Sequence, residues 1–203
     1  MFDKSDFDRE LQKLGDLAPL GYFVALHIRF TSPLMSFQTY DQAWTDHYTD
    51  NGFVLRDPMT AWGFCKTGST RWSNKKIPDP FGIFKEAAKF GLRYGVTISC
   101  GPIRSRTIVS LARGDREFDD TEIAEAEATA KRLHEISEPR GKLTKAQIAA
   151  LKCIAEGDRH AAAAAKLGIS ESALKARLTA ARQNLMARTT AEAIQRARDN
   201  HLL

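Results

Sequence analysis

Tyr40, Trp44 and Tyr48 recur at every fourth position, Asp57 stands immediately before Pro58, and Trp72 closes the stretch. If 41–51 is helical, the three rings form one stripe along it. Tyrosine and tryptophan join a large apolar body to a polar tip that needs a partner when buried. Such a stripe can line a mostly apolar cavity and still donate hydrogen bonds into it. A carboxylate at Asp57 adds one acceptor to those donors. The competing reading is plain: aromatic stripes at helical spacing are usually core, and an acid before a proline caps a helix. Catalysis is a poorer match. Asp57 has no neighbouring base, and the chain carries no nucleophile-elbow motif, no metal-ligand cluster and no close pairing of histidine with acid. His27 stands in an apolar run without a second ligand at metal spacing and reads as a packed strand histidine. Cys65, Cys100 and Cys153 are odd in number, far apart and in no paired motif, which argues against a disulfide framework and a zinc site.

The elements that must position these residues follow from the chain in order. Its 203 residues suffice for one large domain or two modest ones. No apolar run approaches the roughly 20 residues of a membrane helix, and the charged N-terminus does not fit a signal peptide, so a cytoplasmic protein is expected. Phe7, Leu11 and Leu14 predict an amphipathic helix over 3–14. The aromatic and β-branched run 22–30 predicts a central strand, with a second extended piece over 34–40 leading into the aromatic helix. Pro58 should open another helix, and a polar loop over 75–80 precedes one from 79 to 90. Strands are expected over 96–100 and 107–112 about a hairpin loop at Gly101-Pro102, with Val96, Ile98 and Cys100 facing one way and Thr97 and Ser99 the other. Asp119 and Asp120 then open a helix over 121–136. The fold class is α+β, an α/β/α sandwich with an antiparallel sheet over residues 1–136.

A break at Glu138-Pro139-Arg140-Gly141 predicts a linker over 137–142, beyond which composition turns alanine-rich and basic. Residues 138–203 hold 12 Lys and Arg against 6 Asp and Glu, a net of +6; the whole-chain net of +5 leaves the preceding residues at −1. A basic segment of this kind suits a polyanion, because neutralised phosphates release counterions. Four helices fit residues 143–203: 145–156, 160–167, 171–187 and 190–200, with Gly157 and Gly168 at helix ends and Ser170 as an N-cap. Leu167-Gly168-Ile169-Ser170 forms the tight turn of a helix-turn-helix. On the second helix Leu174, Leu178, Ala181 and Leu185 must face inward. Glu171, Ser172, Lys175, Ala176, Thr179, Arg182 and Gln183 then face outward, and with Ser170 they are the candidate contacts to base edges and phosphates.

Taken together, the aromatic stripe and the helix-turn-helix resemble the LuxR-type quorum-sensing regulators over nearly the whole chain. The matching residues are Tyr40, Trp44, Tyr48, Asp57-Pro58, Trp72 and the run from Gly91 through Gly95 to Thr97, followed in the DNA-binding half by Gly168, Ile169, Ser170, Lys175, Leu178, Leu185 and Ala187. The resemblance implies an N-acyl-homoserine lactone as ligand and no cofactor or metal. It implies that Trp44 donates to the lactone carbonyl, Asp57 accepts the amide N–H, and Tyr40 and Ser110 serve the acyl carbonyl. Thr97 would belong to the pocket wall, and Tyr48 and Trp72 would pack on the guest. The implied partners are a palindromic double-stranded operator, a second copy of the chain and RNA polymerase. A dimer is also expected from Ala193, Ile194 and Ala197, a small apolar face on the last helix that looks too large to satisfy within so short a bundle. The chain departs from the family at Gln147, Asp158-Arg159, Ala162 to Ala164 and Thr189-Thr190. Two alternatives stand beside a ligand-activated factor: a DNA-binding apo form released by ligand, and a lactone-hydrolysing enzyme.

Overall fold

A computed structural model describes residues 4–29, 32–138, 143–199 and 202–203. The chain divides into two compact units, Asp3–Ile136 and Ser137–Leu203. Residues 139–142 of the expected linker lie outside the described residues, as do Phe30 and Asn200 at the ends of two expected elements. No helix among the described residues is long and apolar enough to cross a membrane.

In the first unit an antiparallel sheet runs in the order β2-β1-β5-β4-β3, from β1 (Tyr22–Ile28), β2 (Met35–Gln38), β3 (Gly68–Arg71), β4 (Tyr94–Cys100) and β5 (Arg106–Arg113). Strict alternation gives each strand two working faces. Val24, Leu26, Val96, Ile98, Val109 and Leu111 point to one side and are fully or almost fully buried. That side is covered by α5 (Asp120–Ile136), against which α1 (Lys4–Leu17) packs. The other side is covered by α3 (Pro58–Cys65), with α2 (Gln42–Asp50) and α4 (Ile83–Lys89) completing the layer. The architecture is the α/β/α sandwich expected.

Local chemistry explains the boundaries. The Asp41 carboxylate accepts the Ala43 N–H and caps α2, which starts two residues after Tyr40, so Tyr40 precedes the helix that carries Trp44 and Tyr48. Asp57 caps α3 and Pro58 fills its first position. The helix expected from 79 begins at Ile83 instead, because Asp79 bends back to accept the N–H groups of Ile83 and Phe84 at 2.9 Å each. The edge strand β3 has no sequence signal: Gly-Ser-Thr-Arg lacks an apolar residue, and Thr70 alone of the four is buried. Its function is positional, since it delivers Trp72 onto the sheet. Trp72 N–H donates to the Gly95 carbonyl at 2.8 Å, and the indole lies so close over Gly95 that an added Cβ would fall 2.1 Å from the ring.

The second unit contains α6 (Lys145–Ala155), α7 (His160–Lys166), α8 (Glu171–Asn184) and α9 (Thr190–Asp199). Thr144 and Gln147 form a capping box on α6, and Gln147 also accepts from Asn184 at 3.2 Å. Ala163 and Ala164 are buried in the common core, the use of small side chains that a closely packed scaffold helix needs. Gly157 and Gly168 take φ of 94° and 64° and end their helices. The expected end of α8 at 187 is three residues too late. Met186, with φ 57°, occupies the left-handed C-terminal position usually held by glycine, and Ala187 N–H closes back on the Arg182 carbonyl at 2.8 Å.

Two outcomes follow from this packing. Replacing Gly95 by Ala must displace the Trp72 indole, since backbone and ring cannot share the space. A loss of roughly 1–3 kcal/mol is expected in urea unfolding, with a changed near-ultraviolet tryptophan signal. The second concerns acid. His27 is fully buried against α5, and burial, reinforced by the His134 imidazole 4.3 Å away, lowers its pKa from 6.5 to about 4. Folding therefore favours the neutral ring. Its contribution is complete above pH 6.5 and is lost as pH falls from there through about 4. The urea midpoint should drop across that window, and His27→Asn should flatten the slope there.

Candidate functional site

Between the sheet and the layer of α2 and α3 lies a cavity of about 360 Å³. It is walled by all seven of the residues singled out in the sequence as pocket residues: Tyr40, Trp44, Tyr48, Asp57, Trp72, Thr97 and Ser110. A more open depression of about 550 Å³ lies at the end of α1, beside Asp8, Gly15, Leu20 and Thr39. It contains none of those seven and, among the described residues, has no aromatic lining beyond Tyr22. The smaller, better enclosed cavity has the form of a ligand site, apolar walls with a few convergent polar groups.

Each polar group of the cavity has a definite state. Asp57 is split between two tasks: Oδ1 accepts the Met59 N–H at 2.7 Å and caps α3, while Oδ2 accepts the Tyr48 hydroxyl at 2.8 Å. Burial raises the Asp57 pKa above the usual carboxylate value, opposed by these same hydrogen bonds. The Tyr48 hydroxyl is pushed well above its ordinary range by burial and by the adjoining carboxylate, and Tyr40 is raised by burial, so both phenols are neutral donors. Tyr40 donates to the Ser110 carbonyl at 3.0 Å. Trp72 donates its indole N–H to Thr97 Oγ1 at 3.1 Å, and Thr97 and Ser110 hydroxyls stand 3.4 Å apart. Trp44 is 6% exposed and rests against Tyr48, Phe53 and Phe90 with ring centroids 5.5 to 6.3 Å apart. Its indole N–H has no acceptor among the described residues.

The cavity has two ends of unlike chemistry. Tyr40, Tyr48 and Trp72 belong to an aromatic cluster around Trp44, whereas Ala25, Ile28, Ile108, Phe23 and Phe64 form a separate aliphatic and aromatic cluster. The second set was missed in the sequence. Phe23 and Ala25 on β1, with Ile108 and Ser110 on β5, share the cavity face by simple alternation, and that signal was available for two of the strands.

In the second unit Leu174, Leu178 and Ala181 of α8 and Leu185 at its C-cap are buried, and Ser170 caps the helix by accepting the Ala173 N–H at 3.2 Å. Glu171, Ser172, Lys175, Ala176 and Thr179 are exposed along one side. Arg182 departs from the expectation of an outward base. It is half-buried, donates to Thr179 Oγ1 at 3.2 Å and to the Arg188 carbonyl at 3.4 Å, and has its Nε enclosed without a partner among the described residues. A further correction concerns α9: Ala193 and Ala197 are fully buried in the core of this same unit and Ile194, partly buried, packs against it, so burial of the two alanines needs no second chain.

Comparison with known proteins accords with this geometry. The autoinducer binding domain family matches residues 23–136, more than half of the chain. The transcriptional activator RaiR of Rhizobium etli is 28% identical over 180 residues, covering 80% of this chain and 74% of its own. The transcriptional activator VanR of Vibrio anguillarum is 26% identical over 183 residues, covering 82% and 76%. Among solved structures, SdiA of Escherichia coli aligns over 100% of this chain and 92% of its own at 22% identity and a TM-score of 0.48. CepR2 of Burkholderia cenocepacia aligns over 66% and 90% at 19% identity and the same TM-score. The matched relatives are named as activators of transcription, in keeping with the expectation that the chain is no enzyme. An aromatic cavity with a buried carboxylate inside the matched segment, joined to a basic helical unit, is the arrangement to be explained, and the chain belongs to the autoinducer binding domain family of LuxR-type quorum-sensing regulators.

Proposed function

We propose that the chain is a transcriptional activator that binds an N-acyl-homoserine lactone in the cavity of its first unit and a palindromic DNA operator, as a dimer, through α8 of its second. The observation that carries the ligand half is the pairing of Asp57, a buried acceptor, with Trp44, a buried donor that has no protein acceptor among the described residues, on the wall of one cavity. An acyl-homoserine lactone offers one amide N–H and carbonyls on either side of it. In this reading the amide donates to Asp57 Oδ2 alongside Tyr48, and Trp44 donates to the lactone carbonyl. The acyl carbonyl meets the hydroxyls of Ser110 and Thr97, because the Tyr40 proton is already engaged by the Ser110 backbone. The acyl chain extends toward Ile28, Phe64 and Ile108. Each of these hydrogen bonds forms in an apolar surrounding, where an unmet partner is costly and discrimination correspondingly strong.

For the DNA half, the support is the net charge of +6 over 138–203 and the exposed row Glu171, Ser172, Lys175, Ala176 and Thr179 on a helix that follows a tight turn. Short polar side chains near the helix start suit base edges, and Lys175 suits a base or phosphate. Dimerisation rests on the few base contacts a single recognition helix can make, which two-fold symmetry doubles. RNA polymerase is the partner an activator requires.

Ligand binding should raise the melting temperature of the purified chain by roughly 5–10 °C at a lactone concentration about 100-fold above Kd. Asp57→Asn, which keeps a capping oxygen but replaces the other with a donor, should fold and lose that shift. No shift across a panel from N-butanoyl- to N-dodecanoyl-homoserine lactone would sink the ligand reading. For DNA, gel shifts on operator fragments should weaken steeply with added salt, and Lys175→Ala should reduce affinity and make the salt dependence shallower. Binding unaffected by that substitution and by salt would remove α8 from the interface, and a complex dissolved by lactone would favour the ligand-released form.

A further inference from the structure

Among the described residues the sheet has one irregular step, and it lies directly beneath the cavity. Ala25 pairs with Ile108 and Ile28 with Arg106, so two residues of β1, Leu26 and His27, oppose the single Thr107 of β5. In a regular strand the alternation that sends Phe23 and Ala25 into the cavity would send residue 27 there too. Instead His27 adopts φ of 51°, Ile28 takes the place on the cavity wall, and the imidazole turns to the opposite face. There His27 Nδ1 lies 2.8 Å from Ser105 Oγ in the β4–β5 hairpin, and Nε2 lies 3.0 Å from the His134 carbonyl. The His27 N–H donates to Thr107 Oγ1, which in turn meets His134 Nδ1 at 2.8 Å. His134 stands two residues before the end of α5.

A left-handed conformation is disfavoured for a non-glycine residue, because its Cβ crowds the neighbouring carbonyl. A bulge held against that cost re-aims side chains and occurs preferentially beside functional sites. Coupling between sites requires an element with two arrangements; the bulge is the one irregular step of the sheet among the described residues.

We propose that His27 is a positioning residue that couples occupancy of the cavity to the last turn of α5. A guest resting on Ala25 and Ile28 fixes the bulge in its present form, and His27 carries that constraint through the sheet to Ser105 and to the His134 carbonyl. This rests on the ligand-binding reading, and it adds a route by which a molecule held on one face of the sheet is sensed on the other, at the end of the helix that leads out of the first unit.

Hydrogen exchange on the full chain tests it, with and without the N-acyl-homoserine lactone that gives the largest melting shift. In the unaltered protein the lactone should slow exchange in β1 and β5 and also at 133–137, roughly five-fold or more at the latter. His27→Gly accepts the left-handed backbone but has no imidazole. It should keep the melting shift and the protection of β1 and β5 and lose the protection at 133–137. Ser105→Ala removes a single hydrogen bond and leaves His27 in place; it should reduce the protection at 133–137 alone, and it decides the matter should His27→Gly not fold. Full protection of 133–137 in both variants overturns the proposal, as does an unaltered protein in which the lactone protects the cavity strands and not the helix end. Loss of cavity and helix protection together would give His27 a purely structural role. A panel of lactones that protects no segment and shifts no melting overturns the ligand reading itself and this inference with it.

Discussion

One buried carboxylate ties the cavity layer of the first unit together. Asp57 has two oxygens and gives each to a different helix: one caps α3, and the other holds the hydroxyl that projects from α2 at Tyr48. That bridge sets the register of the aromatic wall against α3. The bridge is also expensive, because burial disfavours the charged form and three hydrogen bonds from Tyr48, Met59 and Thr60 only partly oppose it. A carboxylate under such tension is further stabilised by any additional donor that reaches it. The cavity therefore holds an acceptor whose structural partners leave it incompletely compensated.

The residues around it were legible to different degrees. The four-residue spacing of Tyr40, Trp44 and Tyr48 and the Asp57-Pro58 pair were readable because helix periodicity and capping are local rules. The apolar end of the cavity was harder to see, since Ile28 faces inward only because a bulge breaks the alternation before it. Nothing about His27 in the sequence announces a left-handed backbone; glycine or asparagine would have. The same is true of Met186, which ends α8 without the usual glycine, and of β3, whose four residues pair with β4 for reasons of geometry rather than propensity.

The second unit shows where a sound rule met a wrong premise. Ala193 and Ala197 were expected to need another chain because a four-helix bundle of this size has little interior. The interior proves to be built from side chains so small that α9 closes on it: Ala150, Ala163, Ala164 and Ala181 share the core with five leucines. Small residues allow close helix approach, and Ala193 and Ala197 are buried within the unit with Ile194 packed against its core. The departures at Gln147 and Thr189-Thr190 are likewise absorbed locally, Gln147 in a capping box and Thr189 in accepting the Glu192 N–H at 3.1 Å.

A sheet buried on both faces imposes a general constraint on how a cavity on one side can be felt on the other. In a regular strand alternate side chains serve opposite layers, and the backbone between them is held by its ladder, so a shift on one face is absorbed by the side chains that meet it. A bulge removes that independence: moving residue 28 inward or outward requires residue 27 to rotate, and residue 27 here is bonded at both ring nitrogens to elements of the far layer. Thr107, the single residue opposite the bulge, binds both the His27 amide and the His134 ring. The bulge, the two ring bonds of His27 and Thr107 thus meet at one point of the sheet, between the apolar wall of the cavity and the end of α5.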